Sequence, residues 1–467
     1  MDDSWLRAAL AHGRAAGLDP GWLRVLLAFG GPPRHGAEAS LRTIERRLTD
    51  PPIAAVLSDE VDAGQAAMFE RRYRSVVELL ASIDGEASRV LHVGLVGRVS
   101  QMLEEPGPRA LRVRAAVDFY YSQAALLLHR DAGGPPLAEL VANSEHRRLA
   151  PGLHHRRVAG HTAAGPVHVN VLTVLGRRLR TVDARGRGGL AKVVADEGAL
   201  AGTSGGFFLY SEHDIAPPSE RGDPVGLLVQ DGVVLNPPIF TRSALVQRER
   251  PGLERHGLRG WRVNGVPVVR VNAPASGLVA WNRAAGDRAP RDGLQVVGHR
   301  VVGHGRAIPL AGCVLTGELS ASETVRWTPP EPIAAALSGG PTLLGPDALS
   351  LAAEQFAGSA PPVTFSQDET YDQNLLPRMA VGARPDGALV FVAVDGRNVW
   401  DAPGMTLRGT ADLLTLLGCD RAMNLDGGSS KRMVVEGEVV DLPSTEVVAG
   451  GGGPARIRPV HTAILVV

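Results

Sequence analysis

Residues 390–397 read Val-Phe-Val-Ala-Val-Asp-Gly-Arg, and residues 422–430 read Ala-Met-Asn-Leu-Asp-Gly-Gly-Ser-Ser. The first stretch is an apolar strand ending in Asp-Gly-Arg, which delivers a carboxylate and a guanidinium to the edge of a sheet. Between the two stretches, Leu407 to Leu417 has a helical pattern that ends at Gly418, as a helix with a glycine C-cap would. One Asp-Gly pair alone is typical of an ordinary turn. Two pairs flanking one helix favour a shared site, where glycine lets the backbone approach a ligand closely.

Outward from this unit, the chain from residue 151 onward has the pattern of strands. Val167 to Val174 alternates in a way that suits a half-buried strand. Turn signals at residues 230–232 (Gln-Asp-Gly) and 385–387 (Pro-Asp-Gly) indicate hairpins. The other strand-like runs are Gly226 to Gln230, Val266 to Val271, Val434 to Val440 and Thr462 to Val467. We therefore predict a largely antiparallel or mixed sheet.

Ahead of residue 150 the pattern is helical. From Ser4 to about Ala150, apolar residues recur at spacings of three and four, and Gly or Pro falls mainly between segments. The clearest helices are predicted over Val61 to Ile83, Glu86 to Glu104 and Ala110 to Arg130. The fold class that follows is α+β, with a helical domain over residues 1–150 and a sheet domain over residues 151–467. The helical part has the pattern of a bundle that serves as a scaffold, a dimerisation unit or a wall of the site.

Composition excludes several classes of protein. The 467 residues carry 49 Lys and Arg against 49 Asp and Glu, so no net charge favours a nucleic-acid partner. Two cysteines, Cys313 and Cys419, are too few for a disulfide-stapled scaffold, and their apolar surroundings predict buried free thiols. The acidic amino terminus and the lack of an apolar run of about 18 residues predict a cytoplasmic protein with no membrane partner. The preference for Arg over Lys is typical of a GC-rich bacterial genome.

Five short motifs, in order, resemble those of the phosphodiester glycosidase family. Asn-Leu-Asp-Gly-Gly-Ser-Ser at residues 424–430 is similar to the family's Asn-Leu-Asp-Gly-Gly-Gly-Ser, and Asp-Gly-Arg at 395–397 matches its Asp-Gly-Arg. The others are Ser-Gly-Gly-Phe-Phe at 204–208, Gly-Gly-Pro-Thr-Leu-Leu at 339–344 and Pro-Arg-Met-Ala-Val-Gly at 377–382. The resemblance covers about residues 155–467. It departs at three positions: Ser204 stands where the family has Asn, Met379 where it has Thr, and Ser429 where it has the third Gly.

The resemblance implies an enzyme that cleaves the glycosidic bond of a sugar-1-phosphodiester and releases the sugar and a phosphomonoester. Because phosphate is a good leaving group, the site has to bind its charge and stabilise an oxocarbenium-like transition state. Two alternatives stay open. The departures favour a non-catalytic protein that binds a carbohydrate or glycophosphate, and the missing signal peptide favours an intracellular biosynthetic or resistance enzyme acting on a nucleotide sugar or small phosphodiester.

The same resemblance implies the site residues. Asp426 and Asp395 are candidates for base, nucleophile or electrostatic partner, although Asp395 in a structural ion pair with Arg397 is an alternative. Asn424 either binds a sugar hydroxyl or ties the loop together. The candidates for substrate or phosphate binding share a guanidinium, a hydroxyl or a free backbone amide: Arg378, Arg397, Ser204, Gly205, Gly206, Gly340, Gly427, Gly428, Ser429 and Ser430.

Cofactors and partners follow from the same pattern. No cofactor is required by the sequence, and a Ca²⁺ or Mg²⁺ ion at the aspartates is an option, although their spacing resembles no dedicated cation loop. No His or Cys pair has the spacing of a zinc site. Lys431, one of two lysines, is predicted to be a solvated loop residue rather than a phosphate contact. The partner we expect is a small sugar phosphodiester or nucleotide sugar.

Overall fold

A computed structural model describes residues 51, 53–107, 109–209, 222–288, 290, 292–319, 323–350, 354, 374–444 and 459–467. The helices predicted within residues 1–50 lie outside this part of the chain. Within it, the first helices are α1 (Ile53–Leu57), α2 (Ala63–Ser82), α3 (Glu86–Glu104), α4 (Ala110–His129) and α5 (Leu137–Ala142). The bounds of α2, α3 and α4 lie within two residues of those predicted for the three helices of this region.

Helices α1 to α4 pack around one apolar core. Asp62 caps α2, because its side chain accepts a hydrogen bond from the Gln65 N–H. Apolar side chains at helical spacing fill the interior; Tyr73, Val76, Leu95, Val113 and Tyr121 are among those fully buried. The same core includes Val399, which lies in the strand-rich part of the chain. The helical segment is therefore packed directly on the region that follows the strand over 389–394.

A seven-stranded sheet forms the centre of the strand-rich part. Its order is β1-β2-β3-β20-β19-β21-β18, and every pairing is antiparallel. Helix α7 (Leu407–Leu416) covers one face, where Val392 and Ala380 contact Leu413 and Leu414. The strands are β1 (Glu145–Ala150), β2 (Leu153–Thr162), β3 (Gly165–Val174), β18 (Thr342–Leu344), β19 (Arg378–Ala383), β20 (Leu389–Val394) and β21 (Arg421–Leu425).

The described residues of the strand-rich part form three further sheets. One of five strands has the order β23-β22-β5-β24-β4, and another has the order β7-β6-β17-β8-β9. A seven-stranded sheet, β14-β13-β15-β12-β11-β10-β16, contains one parallel pair, β11 with β12. Helix α6 spans Leu190–Asp196. The strands are β4 (Leu179–Asp183), β5 (Ala201–Ser204), β6 (Leu228–Gln230), β7 (Val233–Asn236), β8 (Arg242–Gln247), β9 (Pro251–His256), β10 (Arg262–Val263), β11 (Val266–Val271), β12 (Leu278–Trp281), β13 (Leu294–Val297), β14 (Arg300–His304), β15 (Gly312–Thr316), β16 (Trp327–Thr328), β17 (Ala335–Ser338), β22 (Met433–Val435), β23 (Glu438–Val439) and β24 (Thr462–Val466).

The architecture agrees with the predicted α+β class, in which helices accompany several antiparallel sheets. Both predicted hairpins form, β6 with β7 and β19 with β20. Two predictions are wrong in detail. Residues 145–150 form strand β1 rather than continuing the helical pattern, because it pairs with β2 as a mostly exposed, polar edge strand. The run from Val434 to Val440 is a hairpin of two short strands with Glu436 at positive φ rather than one strand.

Both cysteines are buried free thiols, as predicted. Burial raises the pKa of Cys419 to about 11, so this thiol stays protonated near neutral pH. Among the residues that the structure describes, no helix is long and apolar enough to cross a lipid bilayer. The division of the chain into domains at residue 150 stays a prediction.

Candidate active site

The two Asp-Gly turns meet at one end of the central sheet. Strands β20 and β21 both pair antiparallel with β19, so they run in the same direction and their carboxyl ends lie at the same edge of the sheet, on either side of β19. Arg397 follows β20 and Gly428 follows β21; a Cβ built on Gly428 would lie 3.4 Å from the Arg397 Nη1 atom. Gly428 has a φ of +54°, a conformation that favours glycine. The topology thus brings together the two stretches that the sequence singled out.

Asp395 lies at the centre of a buried charge cluster. Its side chain is 1% exposed, and its carboxylate accepts hydrogen bonds from His168 Nδ1, from Lys431 Nζ and, at 3.1 Å, from the backbone N–H of Leu442. Burial alone would raise the pKa of Asp395, but the Lys431 ammonium and the hydrogen bonds from His168 and Lys431 outweigh it. The pKa of this carboxyl therefore lies below its ordinary value. Asp395 is ionised and fully occupied by protein donors.

Lys431 is not a solvated loop residue, contrary to the sequence prediction. It is fully buried, forms ion pairs with Asp395 and with Asp441 (2.9 Å), and donates to the Leu442 carbonyl at 2.9 Å. Asp441 also binds Arg432 Nη1 at 2.8 Å. A charged lysine with this many acidic and carbonyl partners is a structural cation. These ion pairs of Lys431 fix the end of the loop formed by residues 427–431.

His168 links Asp395 to the surface. Its Nδ1 bonds the Asp395 carboxylate, and its Nε2 accepts from Arg157 Nε at 3.0 Å. This pairing fixes the neutral tautomer with the proton on Nδ1, because an arginine N–H can only donate. Arg157 lies in a cleft of about 310 Å³, which is also lined by Trp400 and Leu442. A chain of contacts therefore runs from the buried Asp395 to an exposed guanidinium in this cleft.

Asp426 differs from Asp395 in its exposure. It is only partly buried, and its backbone N–H donates to the Gly205 carbonyl at 3.0 Å, which joins two of the predicted motifs. Two residues earlier, Asn424 is fully buried; its Nδ2 donates to the Gly340 carbonyl at 3.3 Å. The Asn424 Oδ1 atom has no hydrogen-bond partner among the described residues. Asn424 thus ties β21 to the Gly-Gly-Pro segment.

Arg378 and Asn424 lie on the opposite face of the central sheet from Asp395. Arg378 is fully buried; its Nε donates to the Met405 carbonyl and its Nη2 to the Asn374 carbonyl, both at 3.0 Å. Met405 belongs to the core under α7, whereas Ala393, which shares the face of Asp395, belongs to the core on the other side. These contacts anchor the segments before β19 and before α7. The structure does not place Arg378 beside Asp395.

Arg397 lies between the glycine loop and the helical segment. Its side chain is 1% exposed, and its Nη1 donates to Ser429 Oγ and to the Ser444 carbonyl, both at 3.4 Å. Its Nη2 lies 3.5 Å from Asp118 Oδ2 on α4. The structural ion pair considered for Arg397 is therefore made with Asp118, while Asp395 pairs with Lys431.

Ser204 and the two glycines after it are engaged by protein groups. Ser204 Oγ accepts from the Arg432 N–H at 3.0 Å, and the Gly205 N–H donates to the Thr462 carbonyl at 3.0 Å. The Gly206 N–H donates to Thr462 Oγ1 at 2.9 Å. A Cβ on Gly206 would lie 2.3 Å from the Ser338 carbonyl, so close packing requires glycine there. These amides have internal acceptors and do not form an open anion nest.

The remaining predicted binding residues are Gly340 and the loop of residues 427–430, which contacts Arg397. The Gly428 N–H donates to the Pro377 carbonyl at 2.8 Å, and Gly427 accepts from the Ser430 N–H at 3.0 Å. Gly340 donates to the Asn424 carbonyl at 2.7 Å. Ser429 and Ser430 lie in a short 3₁₀ turn and are each under a tenth exposed. Of this loop, the Ser429 hydroxyl is the group that contacts Arg397.

Sequence reasoning missed three members of this site: His168, Asp441 and Asp118. In the sequence His168 is one of four histidines between residues 154 and 168, and its register beside Asp395 is a property of the folded sheet. Asp118 occupies a helix whose apolar neighbours signal burial, and a lone acid in such a pattern is a signal that was available. Among the described residues, no three His, Cys, Asp or Glu side chains are grouped as metal ligands would be.

Comparison with known proteins finds a family match in the carboxyl-terminal part of the chain. The family model described as phosphodiester glycosidase matches residues 262–467. An uncharacterized SPbeta prophage-derived protein of Bacillus subtilis, YomE, is 42% identical over 65 residues, which are 14% of this chain and 10% of that protein. The chain thus matches about a tenth of the length of this relative.

Two solved structures are similar in part. A hypothetical protein from Synechocystis has a TM-score of 0.43 at 18% identity, covering 72% of this chain and 64% of that one. The zebrafish N-acetylglucosamine-1-phosphodiester alpha-N-acetylglucosaminidase catalytic domain, auto-inhibited by its pro-peptide, has a TM-score of 0.39 at 16% identity, covering 72% of this chain and 94% of that domain. The match of the phosphodiester glycosidase model to residues 262–467 confirms the resemblance over that part of the chain, which holds four of the five motifs.

Proposed function

We propose that this protein hydrolyses the glycosidic bond of a sugar-1-phosphodiester and releases the sugar and a phosphomonoester. The observation that carries the proposal is that two unlike acids follow two strands whose carboxyl ends lie at the same edge of the central sheet. Asp426 is partly exposed beside the glycine loop, and Asp395 is buried and occupied by three donors. Two carboxylates in contrasting environments are typical of glycosidic chemistry, where one acts on substrate and the other stays ionised.

Asp426 is the acid that acts on the sugar in this proposal. A carboxylate with access to solvent can approach the anomeric carbon or a water molecule, either as nucleophile or as base. Asp395 holds Lys431 and His168 in place. Its depressed pKa suits a permanent charge and does not suit a group that exchanges protons near neutral pH.

The phosphate charge needs cationic partners, and the site region has two with different surroundings. Arg397 lies against the glycine loop beside Ser429. Arg157 is exposed in the cleft and is oriented through His168. We assign Arg397 to the charge next to the bond that breaks, and Arg157 to the more distant part of the substrate, because guanidinium groups bind phosphate oxygens in a fixed fork.

A second candidate function is binding of a carbohydrate or glycophosphate without turnover. The observation in its favour is Ser204, whose hydroxyl is occupied by the Arg432 N–H where other family members have Asn. A hydroxyl held in this way does not offer a ligand the paired donor and acceptor of a carboxamide. An intracellular enzyme for nucleotide sugars uses the same acids, so substrate preference separates it from the leading proposal.

The test is hydrolysis in oxygen-18 water. The protein is incubated with N-acetylglucosamine-1-phosphodiesters and with nucleotide sugars, and the products are read by mass spectrometry. We expect the label in the free sugar, which means cleavage of the carbon–oxygen bond. Label in the phosphate would overturn the proposal in favour of a phosphodiesterase. Saturable binding without any product would support the second candidate.

Two variants make the result specific to the site. Asp426→Asn is expected to abolish product formation, because the amide cannot act as nucleophile or base. Asp412→Asn is the matched control, an exposed aspartate on α7, and it is expected to behave as the native protein. Product formation that survives in Asp426→Asn would remove Asp426 from the chemistry.

A further inference from the structure

Helix α4 contributes one face to the candidate site. Asp118, Tyr121, Ser122 and His129 recur at helical spacing and point at the strand-rich part of the chain. The Tyr121 hydroxyl donates to the Pro403 carbonyl at 3.1 Å, and Ser122 Oγ accepts from the Leu375 N–H at 2.9 Å. His129 Nε2 donates to the Val399 carbonyl at 2.7 Å.

The segments that α4 contacts carry Arg397 and Arg378, two of the binding residues that the sequence predicts. Residues 397–405 begin at Arg397, whose φ is +63°, and its N–H donates to the Pro403 carbonyl at 3.3 Å. Residues 374–378 end at Arg378, and Leu376 pairs with Met405 through two backbone hydrogen bonds. Val399 and Leu375 pack against the core of the helical bundle. The two loops are therefore clamped between α4 and the central sheet.

Asp118 makes the most direct contact of this face. It is fully buried; its Oδ2 lies 3.5 Å from Arg397 Nη2, and its Oδ1 lies 3.8 Å from Arg72 Nη1 on α2. Neither carboxylate oxygen has a hydrogen-bond partner among the described residues. A buried carboxylate held at these distances, without short hydrogen bonds, is a poor source of stability. Asp118 thus lies between two guanidinium groups, those of Arg397 and Arg72.

We propose that Asp118 is a positioning residue that orients Arg397 toward the phosphate charge of the substrate, so that the helical segment is part of the active site. This inference rests on the proposed function. Arg72 sets the position of Asp118 from the far side, and Tyr121, Ser122 and His129 fix the backbone on which Arg397 is mounted. Burial raises the pKa of Tyr121, so its phenol stays protonated and able to donate.

The experiment is a double-mutant cycle on Asp118 and Arg397 in the full chain. Asp118→Asn keeps the shape of the side chain and removes its charge, and Arg397→Gln removes the guanidinium. We expect Asp118→Asn to lower kcat/KM by up to about 100-fold, the size of effect that a displaced catalytic group produces. The same substitution in the Arg397→Gln background is expected to have almost no further effect, since Asp118 acts through Arg397. Effects that multiply independently would overturn the proposal.

A second readout separates this inference from the proposed function. Binding of inorganic phosphate is measured by calorimetry for the native protein and the three variants. We expect Asp118→Asn to weaken phosphate binding when Arg397 is present and to have almost no further effect in the Arg397→Gln background. Phosphate binding that depends on Asp118 only while Arg397 is present, in a protein without hydrolase activity, would uphold the positioning role and overturn the function. Hydrolysis and phosphate binding both unaffected by Asp118→Asn would overturn the positioning role alone. Absence of both in the native protein would overturn both.

Two further variants guard against loss of folding. Tyr121→Phe removes one hydroxyl from the same helix face and keeps the ring, so it should fold and should lower kcat/KM by a smaller factor than Asp118→Asn. Asp131→Asn changes an exposed aspartate just beyond α4 and is expected to leave kcat/KM and phosphate binding unchanged. If Tyr121→Phe has native kinetics and Asp118→Asn misfolds, the proposal that α4 positions the segment carrying Arg397 is contradicted.

Discussion

The two Asp-Gly turns of this protein have the same dipeptide and opposite surroundings. Asp395, after β20, is 1% exposed and bound by His168, Lys431 and the Leu442 N–H. Asp426, after β21, is partly exposed and directly precedes the glycine loop of residues 427–430. Two strands that flank β19 and run in the same direction thus present one carboxylate fixed by protein charges and one with access to solvent.

The dipeptide sets the turn, and the groups that surround it set the chemistry of its carboxylate. The environment of Asp395 comes from three separate elements: β3 gives His168, the loop after the 3₁₀ turn gives Lys431, and the segment after β23 gives Leu442. None of these is adjacent to Asp395 in sequence. Four substitutions test this contrast. Their expected effects differ in size because each removes a different part of the surroundings of the two acids.

The largest expected effect is on activity and belongs to Asp426. Asp426→Asn should lower kcat by about 10²- to 10⁴-fold, because the reacting carboxylate is lost, while the free energy of unfolding changes little. Steady-state kinetics on the substrate found by the labelling experiment, with a thermal melt of the same sample, measures both. If the loss of unfolding free energy were as large as the loss of transition-state stabilisation, Asp426 would be a structural acid like Asp395, and the contrast between the two acids would not hold.

The second effect is on stability and belongs to Lys431. Lys431→Met leaves the buried carboxylates of Asp395 and Asp441 without their shared cation and should cost about 3–5 kcal/mol of unfolding free energy. Urea denaturation measures it. The other lysine is the matched control: Lys192→Met breaks an exposed pair with Asp196 and should cost less than about 0.5 kcal/mol. Equal costs at the two lysines would show that the Lys431 cluster does not hold the loop.

The third effect is a pH dependence that belongs to Asp395. Its pKa is lowered in the folded protein, so its ionised form stabilises the fold at pH values above the ordinary carboxyl pKa of about 3.9, and this stabilisation is lost as pH falls through the lower folded-state pKa. Asp395→Asn should therefore be less stable than the native protein near neutral pH. The gap should narrow on acidification below about pH 4. Urea titrations at a series of pH values measure the gap, and a gap that widens toward acid would contradict the assignment.

Local patterns in the sequence predicted the elements of the site region and left its contacts open. The apolar run before Asp395 and the periodicity of residues 110–130 gave strand β20 and helix α4 nearly to the residue. Lys431 was wrongly predicted to be solvated, because burial of a lysine depends on two acids that reach it from β20 and from the segment after β23. The contact of Asp118 with Arg397 spans 279 positions and depends on how the helical bundle packs, which no local pattern encodes.

The smallest effect concerns Ser204, one of the three positions at which the chain departs from the family motifs. Ser204→Ala removes the acceptor of the buried Arg432 N–H and should cost about 1–3 kcal/mol of unfolding free energy, with activity reduced far less than in Asp426→Asn. Ser58→Ala, which removes an exposed hydroxyl bonded to the Ala55 carbonyl, is the control and should cost less. If instead Ser204→Ala is as stable as Ser58→Ala but loses activity, the hydroxyl contacts substrate. In that case Ser204 belongs with Asp426 on the solvent-accessible side of the comparison and not with the buried framework around Asp395.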